Sequence, residues 1–156
     1  FMVAIARPDL VESVVAIAGN LTPAGLVEVP QFNPADISDE GRAEYAAISP
    51  DAPETLELKI AKMVDIWAHE PKIELSAIAE IQVPVLILAG DDDVVKHSHS
   101  IEIYENLKFG QLAIIPGTSH GLVKEKPIIV TQIIKNFLED LTYPITRQPI
   151  RRTNPI

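Results

Sequence analysis

Short apolar runs alternate with amphipathic segments along the second half of this chain, and that order constrains the fold more than any other feature. Residues 83–89 form an apolar run interrupted only by Pro84, and residues 111–115 form another. Runs of this length are typical of strands covered on both faces. Helices are predicted between and after them, at residues 98–107 and from Pro127 onward. Strand, helix, strand, helix is the order of right-handed crossovers onto a parallel sheet, so we expect an α/β fold.

The first half of the chain adds a third apolar run and a segment of different composition. Residues 13–19 are predicted to form a strand, and the apolar residues before Pro8 the end of a helix, because proline cannot continue a helix. Five prolines and scattered acidic residues then indicate that residues 21–53 are an insertion rather than part of the sheet. The helices predicted in the insertion and just after it are residues 39–47, 55–69 and 75–81.

Two of the predicted helices carry a continuous apolar stripe, which implies that each packs against another layer. In the helix at residues 55–69 the stripe consists of Leu56, Ile60, Met63, Val64 and Trp67. In the last helix it consists of Val130, Ile133, Ile134, Phe137, Leu138 and Leu141. The predicted units are a sheet core at 1–20 and 83–141, a helical insertion at 21–82 and an irregular basic tail at 142–156.

The charge balance excludes several classes of partner. Thirteen basic residues against 22 acidic ones give a net charge of -9, so nucleic acid and anionic membrane surfaces are repelled on average. No apolar run approaches the roughly 20 residues that cross a bilayer. The chain has no cysteine, which is compatible with a reducing compartment. We therefore expect a cytoplasmic protein with neither a nucleic-acid nor a membrane partner.

Titratable side chains follow two of the predicted strands. A glycine and three aspartates occupy residues 90–93, and His120 follows the next strand. Because the carboxyl ends of parallel strands lie at one edge of a sheet, these groups are expected to meet there. Three adjacent carboxylates cannot all be buried and charged, so one should turn inward to a cationic partner while two stay solvated. A carboxylate that binds one imidazole nitrogen leaves the other free to take a proton, so Asp93 is the predicted orienting acid and His120 the predicted base.

This arrangement resembles the C-terminal half of the α/β-hydrolases. In that family the acid follows the seventh strand in a G-x-x-D pattern, which Gly90 and Asp93 match, and the base follows the eighth strand, where His120 stands. The 27 residues between acid and base leave room for one crossover helix. Residues 21 to about 80 stand where the family inserts its cap. Within the family, the chain is most similar to small bacterial hydrolases of the proline-iminopeptidase and ring-cleavage types.

The resemblance implies a partial α/β-hydrolase sheet, made of the last three parallel strands with flanking helices, plus a helical cap. It also implies hydrolysis of a small ester, amide or carbon–carbon substrate through a Ser–His–Asp triad, with no organic cofactor and no metal. The family's serine lies in a G-x-S-x-G elbow that would precede Phe1, so we expect this chain to supply only the acid and the base. The alternative nucleophile is an aspartate, as in the dehalogenase relatives of the family.

The predicted substrate contacts are hydrophobic residues of the insertion and of the strand ends. For Met63 and Trp67, which lie on the apolar stripe of the helix at residues 55–69, packing in the hydrophobic core is an equally weighted interpretation, because residues at helical spacing usually face the core. The residues are Met63, Trp67, Val95 and Leu122.

Other polar residues near the acid and the base offer weaker chemistry. Ser119 precedes His120, but adjacent side chains on an extended loop point apart. His97 and His99 lie near three carboxylates, as metal ligands do. Alternate residues can chelate together only in an extended chain, and a helix is predicted there, so solvated histidines at a helix start are the preferred interpretation.

An exposed strand edge is the predicted interaction surface. A sheet that ends at residues 14–18 leaves backbone groups unpaired, so we expect this edge to pair with a separate N-terminal half or with a second copy in a two-fold dimer. The alternative function is therefore a catalytically inactive module that acts through this edge. For the arginine-bearing tail at 142–156, one interpretation is a strap along the acidic surface.

Overall fold

The computed structural model describes residues 1–28, 33, 37–142 and 146–150. Within these ranges the chain forms a three-stranded sheet with flanking helices, as the sequence predicts. In chain order the helices and strands are α1 (Met2–Ala6), β1 (Val14–Ile17), α2 (Asp39–Ile48), α3 (Leu56–His69), α4 (Leu75–Ala79), β2 (Val85–Asp92), α5 (His97–Asn106), β3 (Gly110–Ser119), α6 (Leu122–Glu125) and α7 (Pro127–Glu139). Short 3₁₀ turns that begin with proline occur at Pro8–Leu10, Pro23–Gly25 and Pro53–Thr55.

The sheet has the strand order β1-β2-β3, and both pairs are parallel. Val85 at the start of β2 pairs with Val14 on one side and with Gly110 on the other. β2 is buried from Val85 to Gly90 because it lies between two strands and between two helical layers. The predicted parallel sheet is therefore confirmed, and all three strands bring their carboxyl ends to the same edge.

Two hydrophobic clusters pack on the two faces of the sheet. Successive side chains of a strand point to opposite faces, so Val85 and Ile87 enter one cluster while Leu86 and Leu88 enter the other. The first cluster joins β2 to α1, α4 and α5, and the second joins it to β3, α6 and α7. Burying each such side chain contributes about 1.5–3 kcal/mol, so packing on both faces stabilises the first half of β2.

Both strands that carry the predicted site are longer than the sequence suggests. β2 continues to Asp92 rather than ending at Ala89, and β3 continues to Ser119 rather than ending at Ile115. The regular register shifts between Gly90 and Asp92, after which pairing resumes between Asp92 and Ser119. Charged and turn-forming residues conceal this extension, because their side chains point to solvent while their backbones still pair.

The predicted apolar stripes are only partly buried. In α3, Leu56 is buried, but Met63 and Trp67 are about half exposed. In α7, Val130 and Phe137 are buried, whereas Leu138 is 51% exposed, so its assignment to the core is wrong. The apolar stripe therefore indicates which side of each helix faces the core better than it indicates which of its residues are buried.

β1 lies at one edge of the sheet, and in the described ranges it pairs only with β2. Val14 and Ala16 pack against the first cluster and Val15 against the second, so both faces of β1 are covered, although its residues are only half-buried and Ile17 is exposed. No helix in those ranges combines the length and the apolar character that crossing a bilayer demands. The proposed strap lies largely outside the described residues, which include neither Arg151 nor Arg152.

Candidate active site

Asp93 follows β2 directly, and its side chain has no exposed surface. Oδ2 accepts a hydrogen bond from the backbone NH of Gly90 at 3.1 Å, and Oδ1 accepts one from the NH of Val95 at 3.1 Å. A carboxylate that binds the NH two residues later forms an Asx turn, which explains locally why an aspartate ends this strand. The turn aims the remaining lone pairs of Oδ1 at His120, whose Nδ1 lies 2.8 Å away.

The hydrogen bonds to Asp93 favour its charged form. Burial raises the pKa of this carboxyl group, but the NH of Val95, the ring of His120 and the NH of Gly90 together lower the pKa below its usual range. Asp93 is therefore an ionised acceptor at neutral pH, in spite of its burial.

His120 follows β3 and its side chain is 55% exposed. An ionised carboxylate can only accept a hydrogen bond, so the contact with Asp93 assigns a proton to Nδ1 of the ring. In the neutral ring Nε2 is then unprotonated, and no hydrogen bond joins it to any other group within the described ranges. The arrangement can take up a proton at Nε2 while Asp93 stabilises the imidazolium that results.

The other two aspartates stay exposed, as the sequence predicts. Oδ1 of Asp91 accepts a hydrogen bond from the backbone NH of Thr118 at 3.0 Å. The NH groups of Gly117 and Thr118 lower the pKa of Asp91 below its usual range. Asp91 thus joins the end of β2 to the strand that leads to His120, while Asp92 remains solvated.

Ser119 does not serve as a partner of the base, although it precedes it in sequence. Its hydroxyl donates to Oε1 of Glu125 at 2.6 Å, on the short helix α6. Sequence reasoning missed Glu125 because a four-residue helix gives no periodic signal. An acidic residue five positions after the candidate base is the only sequence feature that could have drawn attention to it.

The two histidines considered as metal ligands bind backbone groups instead. Nε2 of His97 donates to the carbonyl oxygen of Gly90 at 2.9 Å, and Nε2 of His99 accepts from the NH of Leu21 at 3.0 Å. Nδ1 of His99 faces Glu102 at 3.3 Å. Neither ring is exposed, so the preferred interpretation as solvated histidines is wrong. Within the described residues no group of three or more side chains could hold a metal ion.

The four predicted substrate contacts occupy different environments. Leu122 is completely buried in the cluster beneath α7, and Val95 is buried where it forms an antiparallel bridge with Leu26. Met63 and Trp67 present about half of their surface to solvent on α3. The assignment of these residues to substrate binding stays a prediction.

A groove of about 1050 Å³ lies between α4, α5 and residues 21–25. Lys96 and Glu102 are among the residues that line it, whereas Asp93 and His120 are not. The groove is therefore separate from the hydrogen-bonded pair of Asp93 and His120.

Comparison with solved structures identifies the fold as part of an α/β-hydrolase fold. The chain is similar to a serine hydrolase involved in carbazole degradation, with 18% identity, a TM-score of 0.63 and coverage of 88% of this chain and 58% of that one. It is also similar to a meta-cleavage product hydrolase from Pseudomonas fluorescens, with 15% identity, a TM-score of 0.60 and coverage of 88% and 59%. A third similar structure is a proline iminopeptidase from Mycobacterium smegmatis, with 15% identity, a TM-score of 0.60 and coverage of 88% and 60%.

These likenesses concern the fold alone. The chain spans about 60% of the length of the structures that it matches. No protein-family model matches the sequence, and the search of curated proteins found no match.

Proposed function

We propose that this chain supplies the acid and the base of a hydrolase that acts on a small ester, amide or carbon–carbon substrate. The observation that carries the proposal is the 2.8 Å contact between Oδ1 of Asp93 and Nδ1 of His120. The fold supports it, because all three similar structures named above are described as hydrolases or a peptidase. In a fold of this kind the carboxyl edge of the sheet is where ligands bind.

The geometry supports a general-base role for His120. Nε2 takes the proton of a nucleophilic hydroxyl as that oxygen attacks the substrate carbonyl carbon, and the ring becomes an imidazolium. Asp93 stabilises this cation and keeps the ring from turning. The imidazolium then gives the proton to the leaving group, so an acyl-enzyme forms and the first product departs neutral. Water then attacks the acyl-enzyme while Nε2 takes its proton, and the imidazolium returns that proton to the oxygen of the nucleophile as the acid product is released.

The proposed nucleophile is a serine that lies outside these 156 residues. Among the described serines, none places its hydroxyl in a hydrogen bond with Nε2 of His120, and that of Ser119 is donated to Glu125. A similar structure that is described as a serine hydrolase is longer than this chain, which covers 58% of it. We expect the serine in the sequence encoded immediately upstream of Phe1. An aspartate at the same position is the alternative.

We propose that, within residues 21–82, the helical part before α4 forms a cap over the site and that α3 faces the substrate, whereas α4 packs against the sheet. The support is the incomplete burial of the apolar residues of α3, Met63 and Trp67 among them, on a helix whose first residue is buried. Leu122 and Val95 are buried and would shape such a site only indirectly. The proposed chemistry requires no organic cofactor.

The free edge of β1 is the proposed attachment site for the polypeptide that carries the nucleophile. β1 has unpaired backbone groups on the side away from β2 within the described structure, and Ile17 is exposed there. An unpaired strand edge can pair with any suitable strand, so a second copy of the chain is the alternative partner at this edge. The same edge supports the second candidate function, that of an interaction module without catalysis.

The test is hydrolysis of p-nitrophenyl esters by the chain expressed together with the sequence encoded upstream of Phe1. The His120→Gln variant should lose nearly all activity, because Nε2 is the only proposed proton acceptor. Lys135→Gln is the control, since Lys135 is exposed on α7, outside both the proposed site and the proposed cap. No hydrolysis by the wild type would favour the interaction module, whereas equal activity of the wild type and His120→Gln would contradict the role of His120 as the base.

A further inference from the structure

The backbone on either side of His120 is tied to a single carboxylate. Oε2 of Glu125 accepts the NH of Ser119 at 2.7 Å, and Oε1 accepts the hydroxyl of Ser119 at 2.6 Å. The same hydroxyl oxygen accepts the NH of Gly121 at 3.1 Å. Both neighbours of His120 are thus joined in one hydrogen-bonded unit, which we call the Ser119–Glu125 clamp.

The clamp is anchored in the hydrophobic core rather than in the loop itself. Glu125 ends α6, whose first residue, Leu122, is completely buried. The carbonyl oxygen of Gly121 accepts the NH of Lys124 at 2.8 Å and that of Glu125 at 3.1 Å, so α6 begins directly at the loop. Glu125 itself is exposed, so the buried Leu122 and the backbone hydrogen bonds of α6 set its position, and the clamp transmits that position to the residues around His120.

His120 needs such support because packing alone does not hold its ring. The side chain is 55% exposed, and its described hydrogen bond is the one to Asp93. A ring on an exposed loop loses its contact whenever the loop shifts, since the carboxylate of Asp93 is fixed to its own turn.

We propose that Glu125 is a positioning residue that acts through Ser119 to hold His120 against Asp93. The proposal rests on the proposed function, in which His120 is the base. Hydrogen bonds to an ionised carboxylate are stronger than those between neutral groups, and both bonds to Ser119 are short. The hydroxyl and the NH of Ser119 lower the pKa of Glu125 below its usual range, so the clamp is charged at neutral pH.

A loosened clamp should slow chemistry without weakening substrate binding. A misplacement of about 1 Å in a reacting group can cost about 100-fold in rate. Both hydrogen bonds of Glu125 end on Ser119, which is not a proposed substrate contact, so the loss should fall on kcat while KM changes little.

The experiment compares Glu125→Ala, Glu125→Gln and Ser119→Ala with the wild type, each expressed with the upstream sequence. Glu139→Ala is the control, because Glu139 is an exposed carboxylate on the neighbouring helix α7. Two readouts are taken: kcat and KM for ester hydrolysis, and the proton NMR resonance of Nδ1–H of His120, which reports the bond to Asp93. Thermal unfolding establishes that each variant is folded.

We expect Glu125→Ala to lower kcat by about 10- to 100-fold with KM within about twofold, and to weaken the Nδ1–H resonance. Glu125→Gln keeps one acceptor oxygen and should fall between Glu125→Ala and the wild type. Ser119→Ala combined with Glu125→Ala should be little worse than Glu125→Ala alone, since the two residues act as one unit. An unchanged kcat and resonance in Glu125→Ala would overturn the proposal.

The NMR readout separates this proposal from the proposed function. If the wild type shows the resonance but hydrolyses nothing, the proposed function fails, while the response of the resonance to Glu125→Ala still decides the role of the clamp. If Glu125→Ala does not fold, Glu125→Gln and Ser119→Ala provide the test. A resonance like that of the wild type in both variants would overturn the proposal.

Discussion

Gly90 lies so close to Ser119 that a Cβ atom at position 90 would meet the carbonyl oxygen of Ser119 at 2.4 Å. This approach occurs where the regular pairing of β2 and β3 shifts, between Gly90 and Asp92. The strand that leads to the acid and the strand that leads to the base thus touch backbone to backbone. The separation between Asp93 and His120 depends on this contact, which only glycine permits.

Replacing Gly90 by alanine should therefore destabilise the protein and displace the acid from the base. Overpacking of this kind costs about 1–3 kcal/mol in the free energy of unfolding, because backbone rather than a flexible side chain must move. Urea unfolding measures the loss. Gly41→Ala is the matched control: its new Cβ would meet its nearest neighbours at 3.4 Å in α2, and helix propensity favours alanine there by about 1 kcal/mol. Equal stability of Gly90→Ala and the wild type would contradict the close approach.

Asp93→Asn should remove most of the activity and weaken the turn, because its NH₂ group replaces an oxygen that accepts a backbone NH. An amide can present its NH₂ group to Nδ1, which moves the ring proton to Nε2 and leaves no base for the nucleophile. Loss of the correct tautomer costs about 10⁴-fold in kcat in sites of this design. Hydrolysis of p-nitrophenyl esters measures the loss, and Asp92→Asn is the control because Asp92 is solvated. An equal loss in both variants would show that charge at the strand end matters rather than the contact with His120.

Lowering the pH should reduce the unfolding free energy of the wild type more than that of Asp93→Asn. The pKa of Asp93 is lowered in the folded protein, whereas an unfolded aspartate titrates near about 3.9. The folded state therefore binds fewer protons in this range, so the contribution of Asp93 to stability is complete above about pH 4 and is lost as pH falls through the folded-state pKa. Urea unfolding of both proteins between pH 7 and pH 3 tests this, and a constant difference in unfolding free energy would contradict it.

The sequence predicts the α/β class and the strand order along the chain well, because apolar runs and amphipathic stripes record burial directly. The predicted helix ends differ from those observed by at most two residues. It also brings Asp93 and His120 to the same edge of the sheet, since G-x-x-D and His120 follow neighbouring strands. The extension of β2 through Asp91 and Asp92 could not be predicted, because backbone pairing there is not matched by apolar side chains.

Contacts between distant or irregular segments were not predictable from sequence, either in the groove or beside the candidate site. His99 binds the NH of Leu21 from 78 residues away, and the ring nearly touches Gly25, where a Cβ would lie 2.3 Å from it. Glu125 belongs to a helix of four residues, which is too short to show a period. Such contacts depend on the assembled fold, and no local pattern encodes them.

The most direct test of the proposed acid–base pair is the rate at which a fluorophosphonate labels the chain expressed with the sequence encoded upstream of Phe1. We expect the wild type to be labelled at a serine outside these 156 residues, and His120→Gln to react more than about a thousandfold slower, because its nucleophile has lost its base. Mass spectrometry locates the label. Labelling at the same rate in both proteins would contradict the account.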